Sequence, residues 1–353
     1  MFDLILVGYG NVAKRFVELL GERADLLRRD CGLSTAIIGV VTRRDGPRYL
    51  GEEFGSTRAT SAESFIREAC RRDAAAARAG RLVVVETTTL DIERGEPATR
   101  HVRAALAGGA HVITANKGPA AFAYRALARA AERAGRRFLF EGAVMDGVPV
   151  FNLARETLPL VGIAGFRGIV NSTTNYILTA MERGQTFDAA LADMQARGIA
   201  EADPTLDIDG WDAAAKTAAL ANVWLDARIT PHDIEREGIS PATAGRARQA
   251  IASGQRLKLV VSATRHARGV AARVSLEALP ANDILAGVEA QHNALLLRTE
   301  LLDEIAIVQR GGSLTHTAYA LLSDLITIAR AMPQAQPSAH RRRSPARRGR
   351  RSR

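Results

Sequence analysis

The 353-residue chain contains two cysteines, Cys31 and Cys70, and neither has a partner at metal-ligand spacing. A disulfide framework and a cysteine-built zinc site are therefore excluded. Its seven histidines are scattered and none falls in an H-E-x-x-H pattern, so no metallohydrolase site is offered. Aromatic residues make up 5% of the chain, and no run of 18 apolar residues occurs, which argues against a membrane-spanning helix. The first residues, "MFDLILVGYG", have neither a basic n-region nor a small-residue cleavage site. They read as a strand and the protein as cytoplasmic.

Charge is also scarcer than it looks. The net charge is +10, but residues 340–353 carry eight arginines and no acid, and without them the charge falls to +2. This tail, preceded by "MPQAQPSA", has too little apolar surface to fold, so residues 333–353 are expected to be a disordered basic tail with at most a weak hold on nucleic acid.

The whole chain is 47% apolar and 24% charged, an ordinary composition for two domains. Short β-branched runs, "LILVG" (4–8), "AIIGVV" (36–41), "LVVVE" (82–86), "HVITA" (111–115) and "RFLFEG" (137–142), alternate with helical segments. That order predicts a doubly wound α/β domain with a parallel sheet. After "DGVPV" the character changes to a strand at "GIAGFRGIVN", helices at "TNYILTAMERG" and "FDAALADMQARG", an acidic loop, and a helix from Gly210. Two further runs, 256–266 and 269–279, alternate apolar and polar residues like antiparallel strands. We read residues 1–142 as a dinucleotide-binding domain completed by a C-terminal helix in 313–331, and 143–312 as an α+β domain with a mixed sheet.

Four stretches carry chemistry. "LVGYGNVAKRF" sets Gly8, Gly10 and Ala13 in a G-x-G-x-x-A turn between a strand and a helix, with Asn11 and Val12 opening the helix. Such a turn brings backbone N–H groups and a helix N-terminus to a pyrophosphate. Thr87 and Thr88 follow the third parallel strand and border the same cleft. "VITANKGPAAF" puts Lys117 at the carboxyl end of the fourth or fifth parallel strand, where ligands of open α/β sheets bind; an exposed turn lysine is the plain alternative. "NSTTNY" (171–176) reads equally well as a helix cap or a polar substrate cradle. "AEADPTLDIDGWDAAAK" gathers Glu201, Asp203, Asp207, Asp209 and Asp212 ahead of Lys216, with Asp212 and Lys216 four apart on one helix face.

In this order and at these intervals the four stretches resemble homoserine dehydrogenase from Met1 to about Arg330. The resemblance implies interconversion of L-aspartate 4-semialdehyde and L-homoserine, on the route to threonine, methionine and isoleucine, and a homodimer built on the second domain. It makes Lys117 and Lys216 the two active-site lysines, with Asp212 beside Lys216. It places Glu201, Asp207, Ser172 and Thr173 at the substrate and Gly312, in "QRGGSLTHTA", in a C-terminal cofactor loop. It also implies a monovalent cation, Na+ or K+, near Glu141, Val144, Asp146 and Val148; many members read V-G-A-G where this chain has Val144-Met145-Asp146-Gly147. Neither an aspartate kinase before Met1 nor a regulatory domain after Arg330 is found, so threonine inhibition through such a domain is not expected. Other two-domain amino-acid dehydrogenases lack the "DPTLDIDGWD" loop, and a non-catalytic nucleotide sensor has no need of both lysines. Arg43 and Arg44 follow the second strand before any acid appears, so NADP(H) is expected to be preferred, with NAD(H) also accepted.

Overall fold

Apolar runs buried on both faces dictate the first layer. In the computed structural model, which describes residues 1–51, 55–197 and 203–332, these runs become strands of one sheet. The elements are β1 (Phe2–Val7), α1 (Asn11–Glu22), α2 (Ala24–Cys31), β2 (Thr35–Thr42), β3 (Gly46–Tyr49), α3 (Ala62–Arg72), α4 (Ala74–Arg78), β4 (Leu82–Glu86), α5 (Ala98–Ala107), β5 (His111–Thr114), α6 (Gly118–Ala134) and β6 (Phe138–Leu139). The strand order is β3-β2-β1-β4-β5-β6. All neighbours are parallel except β3, which folds back on β2. Every residue of β4, "LVVVE", is buried, as expected of a strand covered by helices on both faces. The order reverses at β1, so the carboxyl ends of β1 and β4 form the crevice in which open α/β sheets bind ligands.

The chain then builds α7 (Val150–Asn152), β7 (Ile163–Ile169), α8 (Ser172–Glu182), α9 (Phe187–Ala196), α10 (Thr205–Ile208), α11 (Trp211–Trp224), β8 (Glu235–Arg236), α12 (Thr243–Ala252), β9 (Gln255–His266), β10 (Gly269–Pro280), β11 (Asn293–Thr299), β12 (Glu304–Gln309) and α13 (Leu314–Arg330). The second sheet has the order β12-β11-β7-β9-β10-β8. It is mixed, antiparallel but for the short β8 beside β10. Leu321, Leu322, Leu325 and Ile328 of α13 return to pack with Leu4, Leu6, Val83 and Val85 under α1.

Several elements differ from the sequence reading. The strand expected over 137–142 stops at Leu139, because Glu141–Ala143 turn as a 3-10 helix. β3, β8, β11, β12, α2, α7, α10 and α12 are additional. β11 is buried almost throughout, so its run "ALLL" shows no period of two and cannot be told from helix by pattern. No helix among the described residues is long and apolar enough to cross a membrane.

Candidate active site

Small side chains decide how the two lysines meet. α6 buries Ala120 and Ala121 and α11 buries Ala213, Ala214, Ala215, Ala218 and Ala219, so the two helices approach closely. Asn222 of α11 fastens them by donating to the carbonyls of Ala121 at 3.0 Å and Ala120 at 3.2 Å. Lys117 occupies the N-cap position of α6 without a side-chain capping bond, while α11 starts at Gly210 in a left-handed conformation (φ 78°). Any Cβ on Gly210 would lie 2.7 Å from the Glu237 carbonyl oxygen. Glycine is thus required, and it brings Asp212 to Lys117.

Asp212 bridges both lysines. Its Oδ1 accepts from Lys117 Nζ at 2.8 Å and its Oδ2 pairs with Lys216 Nζ at 2.9 Å. Lys216 also donates to the Val170 carbonyl at 2.6 Å. An ammonium has three N–H bonds, so one of Lys216's remains beyond these two contacts. Burial would push the Asp212 carboxyl up, but the two ammoniums outweigh it and hold the group far below the usual carboxylate range. Burial likewise opposes the Lys216 charge, and Asp212 with Asp207 reverses this, so the lysine's proton is held more firmly than usual.

Asn171 joins the acids. It caps α8 by accepting from Thr174 N at 2.8 Å, and its amide donates to Asp207 Oδ1 at 2.7 Å and Asp212 Oδ2 at 2.8 Å. Neither Asn171 nor the Val170 carbonyl stood out in the sequence, although "NSTTNY" pointed to the junction: the same residue is both helix cap and site residue. Asp207 carries a carboxyl raised first by burial and then by Asp212, partly offset by Asn171, Lys216 and Thr173. Ser172 Oγ accepts from Asn293 at 3.1 Å. Glu201 lies outside the described residues. Asp203 and Asp209 are exposed; Asp203 accepts locally from Thr205 N at 3.1 Å.

The nucleotide side is built by the loops after β1, β4 and β5. Gly8 has φ 89°, and a Cβ there would meet the Thr87 carbonyl oxygen at 2.9 Å. Thr87 in turn donates through Oγ1 to the Gly8 carbonyl at 3.2 Å. A Cβ on Gly10 would meet nothing within 4 Å, and the start of α1, where Asn11 and Val12 lie, has no side-chain cap. Open space before free N–H groups suits a pyrophosphate, and the residues fit a dinucleotide. Asn116, which the sequence reading passed over, ties this loop to the next: it donates to the Thr88 carbonyl at 2.9 Å and accepts from Gly118 N at 2.8 Å. Glu86, buried at the end of β4, accepts from Thr114 Oγ1 at 2.9 Å and from the Thr88 hydroxyl.

Arg43 and Arg44 are exposed in the turn between β2 and β3 and form no ion pair among the described residues. Beside them, Asp45 Oδ2 accepts from Thr42 Oγ1 at 3.0 Å, which holds an acid at the end of β2. At the expected cation loop the Glu141 carboxylate is spent on the N–H groups of Phe151 and Asn152, both at 2.7 Å. Asp146 accepts from Gln309 Nε2 at 2.9 Å and Thr317 Oγ1 at 3.0 Å. The Val148 carbonyl accepts from Val150 N at 2.8 Å. Among the described residues no three His, Cys, Asp or Glu side chains gather as a metal site. The carboxylates therefore do not fit a cation, and only backbone carbonyls of this loop remain. Gly312 lies against Asp146: a Cβ there would be 2.5 Å from Asp146 Oδ2.

Comparison with known proteins places this geometry. The NAD-binding domain model of homoserine dehydrogenase matches residues 8–141, and the homoserine dehydrogenase model matches residues 149–326. An NAD(+)-dependent homoserine dehydrogenase of Pseudomonas canavaninivorans is 36% identical over 343 residues, covering 93% of this chain and 96% of that protein. A homoserine dehydrogenase of Sulfurisphaera tokodaii is 35% identical over 331 residues, covering 93% and 98%. The crystal structure of a homoserine dehydrogenase from Thiobacillus denitrificans superposes with a TM-score of 0.78 at 29% identity, covering 93% of this chain and 73% of that one. With a nicotinamide-binding crevice on one side and a paired-lysine acid loop on the other, the chain belongs to the homoserine dehydrogenase family, the NAD(P)-dependent oxidoreductases that interconvert L-aspartate 4-semialdehyde and L-homoserine.

Proposed function

We propose that Lys216 is the proton donor of the reduction, Lys117 its electrostatic partner, and Asp212 the group that holds both. The observation that supports this is the single carboxylate between two ammoniums, at 2.8 and 2.9 Å. A bound nicotinamide supplies the hydride to the aldehyde carbon. The aldehyde oxygen then becomes an alkoxide, and the third N–H of Lys216 is the proton it takes, giving the alcohol. Lys117 adds positive charge at the same place. In the reverse direction Lys216 receives the hydroxyl proton.

Asp207 is assigned to the α-ammonium of the substrate, together with Glu201, and Ser172 and Thr173 to its other polar groups. A raised carboxyl pKa means that Asp207 lacks full compensation in the free enzyme, and a substrate cation supplies it. Residues 1–142 with the helix in 313–331 would bind the nucleotide, and 143–312 the substrate. NADP(H) is proposed as the preferred nucleotide through Arg43 and Arg44, with Asp45 limiting the preference. A monovalent cation would be held by the backbone carbonyls of Glu141, Val144, Asp146 and Val148. A homodimer on the second sheet would cover Leu301, Leu302 and Val308, which are at least half exposed along its β12 edge.

The test is homoserine-driven reduction of NADP+ and NAD+ by wild type and Lys216→Ala, with L-aspartate as control substrate. Lys216→Ala should lower kcat by about 10² or more while cofactor binding persists. Near-full turnover by the variant would remove Lys216 from this role.

A further inference from the structure

The chain crosses between its two halves twice, through residues 140–149 after β6 and through residues 310–313 between β12 and α13. One side chain joins the crossings. Asp146, at φ 47°, directs its carboxylate to both sides of the second crossing: Oδ2 accepts from Gln309 at the end of β12, and Oδ1 from Thr317 in the first turn of α13. Between those anchors Gly312 presses so closely on the carboxylate that any side chain there would collide with it, and a Cβ on Gly147 would come within 2.6 Å of the His316 carbonyl oxygen.

The contact continues into the substrate side. Gln309 Oε1 accepts from Asn293 Nδ2 at 3.1 Å, and the same amide nitrogen donates to Ser172 Oγ at 3.1 Å. Thr317, Asp146, Gln309, Asn293 and Ser172 thus form an unbroken chain from the helix that closes the nucleotide half to the first residue of α8. Gln309 and Asn293 are buried, so a broken link would leave polar atoms unpaired. The polarity is set at one end: with the Gln309 oxygen engaged by Asn293, its NH2 group faces position 146 and needs an acceptor there. Aspartate provides it, and tolerates the left-handed backbone better than most side chains do.

We propose that Asp146 is a positioning residue, a latch that locks the two crossings together and thereby sets Ser172, through Gln309 and Asn293, relative to the nucleotide half. It touches no substrate itself. The proposal rests on the assignment of Ser172 to the substrate, and the latch acts on substrate affinity more than on proton transfer, because the lysine pair is held separately by Asp212.

The experiment is a cycle of three variants, with kinetics for homoserine, NADPH binding by fluorescence and melting temperature read on each. Asp146→Asn keeps the backbone conformation but replaces the charged acceptor with a neutral amide whose single oxygen cannot serve both Gln309 and Thr317. Gln309→Glu sets two carboxylates together. The double variant Asp146→Asn/Gln309→Glu restores the hydrogen bond with donor and acceptor exchanged, while the negative charge moves to position 309. Each single variant should raise KM for homoserine about tenfold with kcat within about threefold, the scale of losing one charge-assisted hydrogen bond. The double variant should return KM to within about threefold of wild type. The Asp146 charge also helps keep Lys216 protonated, after Asp212 and Asp207, and recovery with the charge displaced would assign the effect to the hydrogen bond and not to that field. An unchanged KM in Asp146→Asn, a double variant no better than the singles, or kcat falling in step with KM would each overturn the latch. Should wild type fail to oxidise homoserine, the functional reading fails on its own. The latch then stands or falls on whether the double variant recovers the melting temperature that the singles lose.

Discussion

Asp212 and Asp324 are both buried aspartates, 8% and 1% exposed, and they have opposite electrostatics. Asp212 lies between Lys117 and Lys216 and ionises far more readily than usual. Asp324, on α13, accepts the Glu141 N–H at 2.9 Å and forms no ion pair among the described residues. Burial, and then the Glu141 charge, push its carboxyl up to about 8. Asp212 is thus held as a carboxylate, while Asp324 is pushed toward its protonated form. Depth alone therefore does not set the charge of a buried acid; the cations within reach do.

The same substitution at both positions tests this. Asp212→Asn keeps shape but leaves two ammoniums facing each other, and should cost about 3–5 kcal/mol of stability at pH 7, because breaking a buried ion pair strands its partners. Its kcat should fall about ten- to a hundredfold, less than in Lys216→Ala, since the donor survives without its orienting charge. Chemical denaturation and steady-state kinetics check both numbers. Wild-type turnover in Asp212→Asn would make the triad a structural feature.

Asp207 lies between these extremes, half-buried with one lysine and two polar partners easing its charge. Asp207→Asn should raise KM for homoserine by about tenfold, the usual scale for one charge-assisted contact, with a smaller change in kcat. In wild type, KM should rise as pH falls through the raised Asp207 pKa, because protonation removes the partner of the substrate's ammonium. That acid-side rise should be missing in Asp207→Asn, and a pH profile of KM for both proteins decides it.

How far the sequence could have shown this differs between the two regions. Lys117, Asp212 and Lys216 were legible because spacing within one helix, a strand end and a family resemblance converge on them. Asn171 was not singled out, because its sequence signal is that of a helix cap, and only the fold shows its amide reaching Asp207 and Asp212. The pairing of Glu141 with Asp324 spans 183 residues, a distance over which no local pattern carries information. The first sheet was readable strand by strand except for its hairpin. In the second, β11 with its unbroken run "ALLL" and the two-residue β8 have no periodicity to read.

Asp324→Asn is the counterpart to Asp212→Asn. Asparagine mimics the protonated acid, so activity should be unchanged and stability at pH 6–7 should exceed that of wild type, by up to about 1.4 kcal/mol for each pH unit above 3.8. The sign of the pH effect follows from proton counting. The unfolded aspartate releases its proton near 3.8, while the native one keeps it to about 8. Across that window the native state binds more protons, so wild type loses stability as pH rises, by up to about 1.4 kcal/mol per unit. Asp324→Asn removes this contribution, so its urea midpoint should fall less between pH 6 and 8 than that of wild type. Parallel curves would mean that Asp324 is ionised in the native protein.

The smallest expected effect concerns a charge at the surface. Among the described residues Arg43 and Arg44 form no ion pair in the β2–β3 turn, and a guanidinium there suits a 2′-phosphate. Asp45, however, is held at the end of β2 by Thr42 at 3.0 Å, in the position from which an acid accepts ribose hydroxyls and repels that phosphate. One charge-assisted contact to an arginine is worth about 1.5–3 kcal/mol, or ten- to a hundredfold in Kd. The neighbouring acid subtracts from it, so the preference for NADPH over NADH should sit near the lower end, about tenfold. Arg43→Ala should bring the ratio close to one without changing NADH affinity, and Asp45→Ala should widen it. Fluorescence titration of both nucleotides against the three proteins checks this. Tighter NADH than NADPH binding by wild type would show that Asp45 wins the contest at this strand end, and that Arg43 and Arg44 are solvated turn residues.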